Sequence, residues 1–516
     1  MKRVQPSRPA VEHRLASNAM VSMANVVLGS VLVFLLYRLL LHRLGPETLG
    51  VWSLLVASIS AARLSELGMA AGATRFVATA RALGDERGAI KVVETATVSL
   101  LVLGAFGALI ALPLLPRVLG MFMAGEGLAV ALQTLPWALV AFAIGLAGGA
   151  AQSALDGCQR MDLRVWMALA GQMVLLGASV LLTRGHGLAG VAIAQVLQSL
   201  VVLVGSWALL RGQIRGLPLL PRRWDYATFR RIVGYSALFQ FNSLMLLLLD
   251  PLVKITLTRF GGLSATAYFD MANQLVQRLR MLPVAAIQAL VPAMAHAEAQ
   301  GSNLVRDLYV VSYRVTFAAT VAGFCLAAAL VPVISAVWIG HEEGLFMGAA
   351  WICLAGWALN CVGTPAYFGN IGAGTLVTNT VGHVVQIVLC SLLGWWGGTW
   401  GAHGVTAAYA IAIAVGGLYI QIVFEKRLGY VVAVPAESRR LLMISLLSMA
   451  LCLAVDTMIV RYFPLETGSP AAQVLRIVTV LAVFCVLVGP NLWSHPLRRL
   501  ISERALDRFR RQPDPS

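Results

Sequence analysis

The chain has 516 residues, 59% hydrophobic and 12% charged, with a mean hydropathy of +0.80. Soluble domains carry roughly a quarter charged residues, so this composition excludes a single water-soluble core and names lipid as the solvent. The net charge of +16, from 39 Lys and Arg against 23 Asp and Glu, would suggest nucleic acid in a soluble protein; in a membrane chain it is the positive-inside bias, and no nucleic-acid partner is expected.

Met1 to Asn18 is basic and polar, and the apolar run from about Ala19 to Leu41 is too long for a signal core, so it reads as a retained first helix. A spanning helix needs about 20 mainly apolar residues. In chain order such runs are 18–41, 49–72, 92–115, 128–152, 164–183, 187–210, 231–258, 265–293, 308–337, 345–369, 375–396, 400–424, 440–462 and 472–494. The expected fold is therefore an all-α polytopic membrane protein of about fourteen helices. The runs 49–72 and 265–293 carry internal charge and are the weakest of the set.

The loops orient the chain. With a cytoplasmic N-terminus, 28 Lys and Arg fall on the cytoplasmic side and five on the other: Arg43, Arg117, Arg184, Arg259 and Arg461. That asymmetry predicts an even helix number with both termini cytoplasmic. The longest loop, about Arg211 to Arg230, contains Pro218 and Pro221 and reads as a linker between two bundles. The seven cysteines include no C-x-x-C pair, so neither a disulfide framework nor a metal site is indicated. No loop is long enough for a catalytic domain, and no cofactor is expected.

A weak internal repeat is visible. YRLLLHRLGPETLGV from Tyr37 aligns with VKITLTRFGGLSATA from Val253 at an offset of 216, pairing Arg38 with Lys254 and Gly45 with Gly261. Further on, the segment from Phe76 aligns with that from Ala293 at an offset of 217. The repeat predicts two parallel six-helix lobes with a central cleft: an N-lobe over 1–214, a linker over 215–230, a C-lobe over 231–430, and two extra helices with a basic tail over 431–516. Binding sites in repeat-built transporters lie where the repeats meet.

Charges inside apolar runs are costly and usually face a wet cavity or a partner. The basic cases are Arg38, Arg63, Lys254, Arg278, Arg280 and Arg476; the acidic ones are Glu66, Glu94, Asp250, Asp270 and Asp456. At 100° per residue, Asp270, Asn273, Gln274, Gln277, Arg278 and Arg280 share an arc of about 160° on one helix. Ser236, Gln240, Asn242, Ser243, Asp250, Lys254 and Thr258 share an arc on the preceding one. Basic residues at matched depths, Arg63, Lys254, Arg278, Arg280 and more weakly Arg38, suit a cationic cleft, because Arg grips phosphate oxygens in a bidentate way. Other readings stay open. Arg38 and Lys254 sit near helix ends and can snorkel. Arg63 with Glu66, and Asp250 with Lys254, have the spacing of static ion pairs. Asp250 also suits a proton or cation coupling role. Arg476 and Asp456 read as structural, Glu94 as a solvated charge near a cytoplasmic helix end, and His383 and His403 as packed or interfacial histidines.

The stretch LGPETLGVWSLL from Leu44, followed by SELGMAAGATRFVATARALGD from Ser65, resembles the start of polysaccharide-biosynthesis flippases. These are Wzx-like members of the multidrug/oligosaccharidyl-lipid/polysaccharide (MOP) exporter superfamily. LLLLDPLVKITLTRFGGLSATAYFDMANQL and LVPAMA (Leu290 to Ala295) fit its second lobe, so the resemblance covers roughly residues 15–430. Glu66 stands where the family usually has Asp before Leu-Gly. The resemblance implies a non-enzymatic, alternating-access transporter of the bacterial inner membrane. Its cargo would be a polyprenyl-pyrophosphate-linked oligosaccharide, coupled to H+ or Na+, with membrane lipid and a polymerase with chain-length machinery as partners. It implies headgroup binding by Arg63, Lys254, Arg278 and Arg280, with Arg38 as the weaker candidate; Asp250, Asp270, Glu66, Asn273, Gln274 and Gln277 would be polar or coupling residues. A peptidoglycan-precursor flippase and a multidrug exporter share that fold. A membrane glycan polymerase or acyltransferase is the rival from a different class.

Overall fold

A computed structural model describes residues 8–60, 68–288, 294, 297–298, 302–432, 434, 436–462 and 469–494. Every regular element in them is helical. In order they are α1 (Arg8–Ser60), α2 (Met69–Leu83), α3 (Glu86–Gly120), α4 (Gly125–Gly157), α5 (Met161–Gln213), α6 (Tyr226–Gln288), α7 (Ser302–Trp338), α8 (Gly344–Val362), α9 (Thr364–Gly372), α10 (Leu376–Gly397), α11 (Gly401–Arg427), α12 (Ala436–Tyr462) and α13 (Pro470–Ser494). Among the described residues, nine helical stretches are long and apolar enough to cross a membrane. Large apolar side chains such as Phe106, Leu181, Leu392 and Val486 are exposed along them, which only lipid tolerates.

Three of the helices are broken. Non-helical backbone interrupts α1 at Gly45 and α6 at Gly262, both in gaps between predicted apolar runs, and α5 at Gly187, the first residue of the run 187–210. Gly45 (φ 80°, ψ 168°) and Gly262 (φ 83°, ψ 176°) share nearly one conformation, in a region that glycine alone enters without strain. Gly50, the second glycine of the LGPETLG motif, is needed for space instead, because a Cβ there would collide with the backbone carbonyl of Leu263. Gly50→Val is expected to destabilise the protein by about 1–3 kcal/mol, the usual cost of overpacking. A lowered thermal midpoint of the detergent-purified protein is the readout.

The sequence reading ends the second run at residue 72 and treats Arg75 to Lys91 as a loop. Helix α2 instead runs to Leu83, closes on left-handed Gly84, and α3 restarts at once with Asp85 accepting from the Gly88 amide at 2.8 Å. Helical backbone continues past the apolar stretch because cap residues, and not hydropathy, end it.

The chain divides into two compact units, Met1–Ala267 and Tyr268–Ser516. In the first, Ala, Val and Leu of α2, α3 and α4 form the core together with Trp207 and Leu210 of α5. Arg43 of α1 donates to Thr183 Oγ1 of α5 at 3.0 Å. In the second, small residues bring backbones together, Gly356 of α8 against Ala410 and Gly382 of α10 against Gly416, both of α11.

The segment between α5 and α6 lies along α3. Glu94 is 1% exposed and accepts from the Arg222 amide at 2.9 Å, while Trp224 Nε1 donates to Ser99 Oγ at 2.9 Å and the Asp225 amide to Thr95 Oγ1 at 3.3 Å. The solvated reading of Glu94 is therefore corrected: irregular backbone against a helix must find acceptors, and Glu94 supplies one. Asp225, outside the spans, caps α6 through Thr228, whose hydroxyl and amide hold its carboxyl below the usual range.

Candidate functional site

The polar arc of α6 after Gly262 opens the second unit. Asp270 is 2% exposed and Asn273 is buried, its Oδ1 accepting from Tyr409 OH at 3.3 Å. Phe269 meets the same tyrosine edge-on at 5.3 Å. Gln274, Gln277, Arg278 and Arg280 are half-buried. Arg280 Nη1 donates to Gln277 Oε1 at 3.1 Å, and its guanidinium lies over the Trp357 ring of α8 at 4.2 Å from the centroid. Its Nε is buried and meets no hydrogen-bond partner among the described residues, and no described carboxylate pairs with the guanidinium. A cation here is thus held by a π face and an amide, groups that orient it without neutralising it.

The opposite face of this segment is buried as well: Met271, Ala272 and Val276 are each 0% exposed. Helical periodicity separates the two faces correctly but does not make the apolar one a lipid face.

Lys254 and Asp250 lie in the first unit and form the i, i+4 pair at 3.0 Å, with the lysine side chain 5% exposed and the aspartate 40%. Arg38 is exposed. Arg63 and Glu66 lie outside the described residues, and so do the side chains of Ser236, Gln240, Asn242 and Ser243. Arg476 takes up Asp456 through two bonds of 2.7 Å each and adds Glu342 at 2.7 Å, a structural triad as its sequence context suggests. His383 is buried, Nδ1 3.2 Å from Gln386 Oε1.

Sequence reasoning missed two arrangements. The aromatic partners Trp357 and Tyr409 sit in apolar runs where an aromatic carries no distinguishing signal. Glu425, 4% exposed, accepts from Tyr309 OH at 2.8 Å and Gln421 Nε2 at 2.9 Å. Its i, i+4 spacing from Gln421 was the available clue.

The fold resembles several solved transporters. An inward-facing multidrug-resistance MATE-family transporter of the MOP superfamily aligns at a TM-score of 0.67 with 17% identity, covering 80% of this chain and 98% of that one. Lipid II flippase MurJ, in an inward closed conformation, aligns at 0.66 with 11% identity, covering 92% and 99%. A MOP superfamily transporter from Pyrococcus furiosus, for which reverse polarity of the binding pocket suggests a different function, aligns at 0.59 with 17% identity, covering 81% and 95%. No curated protein matches the sequence. Residues 15–298, more than half of the chain, match the polysaccharide biosynthesis protein family. With its helical, lipid-exposed architecture, the chain belongs to that family, and its fold is the one seen in the solved MOP superfamily transporters.

Proposed function

We propose that the protein is an alternating-access flippase that carries a polyprenyl-pyrophosphate-linked oligosaccharide to the outer leaflet of a bacterial inner membrane for surface polysaccharide synthesis. The observation that carries this reading is Arg280, a half-buried cation with aromatic and amide partners and no described carboxylate at hand. Such a group suits a pyrophosphate, which offers concentrated negative charge and paired oxygens. Arg278, Lys254, Arg63 and Arg38 supply further positive charge in this reading, and Asp250, Asp270 and Glu66 are the acids from which H+ or Na+ coupling would draw. Glycan polymerase and chain-length machinery would take the product.

The reading includes fourteen helices with cytoplasmic termini, six in an N-lobe over 1–214, six in a C-lobe over 231–430 and two beyond, with 215–230 as the linker. The shared backbone of Gly45 and Gly262 favours one repeat offset of 217 in place of 216. At that offset Arg63 matches Arg280 itself, which supports equivalent roles for the two.

The test is transport in proteoliposomes. N-acetylglucosamine-bearing undecaprenyl pyrophosphate placed in one leaflet is expected to become accessible to an impermeant glycosyltransferase on the other side, at a rate that protein-free vesicles do not show. Ethidium accumulation without glycolipid movement overturns the reading in favour of drug export.

A further inference from the structure

The first unit holds a cavity of about 400 Å³ among α1, α4 and both halves of α5. Its lining includes four glutamines, Gln152, Gln172, Gln195 and Gln198, with Ser60 and Ser199 beside them. Among the described residues that line it, none is ionisable. All four glutamines are half-buried, and none of their amides is hydrogen-bonded to a described residue; Gln172 Oε1 is fully buried without a partner. Polar groups removed from water are normally paired within the protein, and an unpaired amide in an apolar bundle is a standing cost. Gln172 Oε1 is such a group, and the other three amides open onto the same cavity, so together they offer a ligand a ready set of polar partners.

The donor set defines the ligand's chemistry. Each glutamine offers two donors and one carbonyl acceptor, and each serine hydroxyl does both. A metal ion or organic cation would want a carboxylate, and an anion would want a cation. A neutral ring bearing several hydroxyls or an acetamido group needs alternating donors and acceptors, as found here. The volume falls within the roughly 300–1,000 Å³ of small-molecule sites and fits a mono- or disaccharide.

We propose that this amide-lined cavity is a sugar-binding subsite, which holds the neutral glycan end of the cargo while basic side chains hold the pyrophosphate. It rests on the flippase reading above and deepens it: affinity would then depend on the glycan as well as on the lipid carrier.

The test compares two probes on the full-length protein in nanodiscs, undecaprenyl pyrophosphate and the same lipid bearing N-acetylglucosamine. The wild type is expected to bind the glycosylated lipid about tenfold more tightly than the bare one. Two variants attack the cavity by different routes. Gln172→Leu with Gln198→Leu removes amides. Gly149→Leu fills the space, since a Cβ at Gly149 meets nothing within 4 Å. Both are expected to bring the affinity ratio close to one with the bare-lipid Kd unchanged. A wild-type ratio of one, or a tenfold ratio retained in both variants, overturns the proposal and leaves the flippase reading standing. Loss of bare-lipid binding in both variants also overturns it, because the cavity then serves the fold or the pyrophosphate. A wild type that binds neither lipid overturns the flippase reading, and this subsite with it.

Discussion

Arg280→Met is expected to slow lipid-linked glycan movement by about 100-fold while leaving thermal stability equal to or higher than that of the wild type. The rate follows from the chemistry. A bidentate, charge-assisted grip on a phosphate is worth about 3 kcal/mol, and roughly 1.4 kcal/mol is tenfold. The stability effect follows from the surroundings. The Arg280 guanidinium has Gln277 and the Trp357 face, with no described carboxylate, so its desolvation is only partly offset. Methionine keeps an apolar stem against the indole and removes the charge. Arg280→Lys keeps the charge but not the planar fork, so a loss of about tenfold is expected. Proteoliposome transport rates read the first effect, and the thermal midpoint of the purified protein reads the second. A midpoint that falls sharply in Arg280→Met would make the residue structural, and unaltered transport in the same variant would remove it from the headgroup site.

Asp456→Ala is expected to cost about 3–5 kcal/mol of unfolding free energy, the usual penalty for stripping one partner from a buried ion pair. Both side chains are nearly inaccessible, 3% for Arg476 and 4% for Asp456, and the contact is bidentate. Glu342 remains on Arg476 at 2.7 Å but is 41% exposed, so it compensates only in part. The double variant Asp456→Leu with Arg476→Met removes both charges, and is expected to recover most of the loss. Denaturant unfolding in a detergent micelle measures all three proteins. Equal stability of Asp456→Ala and wild type would show that the pair contributes nothing net.

These two arginines show how far one-dimensional reading reaches. Both stand inside apolar runs, and their presence in lipid is anomalous from composition alone. Which one is neutralised is a matter of partners distant in the chain: Asp456 lies 20 residues from Arg476 and Glu342 lies 134 away. Glu94 carries the same lesson. Its position near a helix end suggested water, and the backbone of Arg222, 128 residues away, took its place. The local pair Asp250 and Lys254 was legible because an i, i+4 contact needs only a helix.

The membrane class, the helical runs, the gaps in which the breaks at Gly45 and Gly262 fall and the family motif are properties of the sequence by itself. Hydropathy is additive along a chain, and a glycine's backbone freedom is local, so neither depends on what packs nearby. Only the tertiary structure decided that Arg280 lies on Trp357, that Gly50 admits no side chain beside Leu263, and that glutamines as far apart as Gln152 and Gln198 line one cavity. Those facts depend on which helix faces which. That choice is made by the close approach of small residues and by the pairing of polar groups across helices, and neither has a period in the sequence.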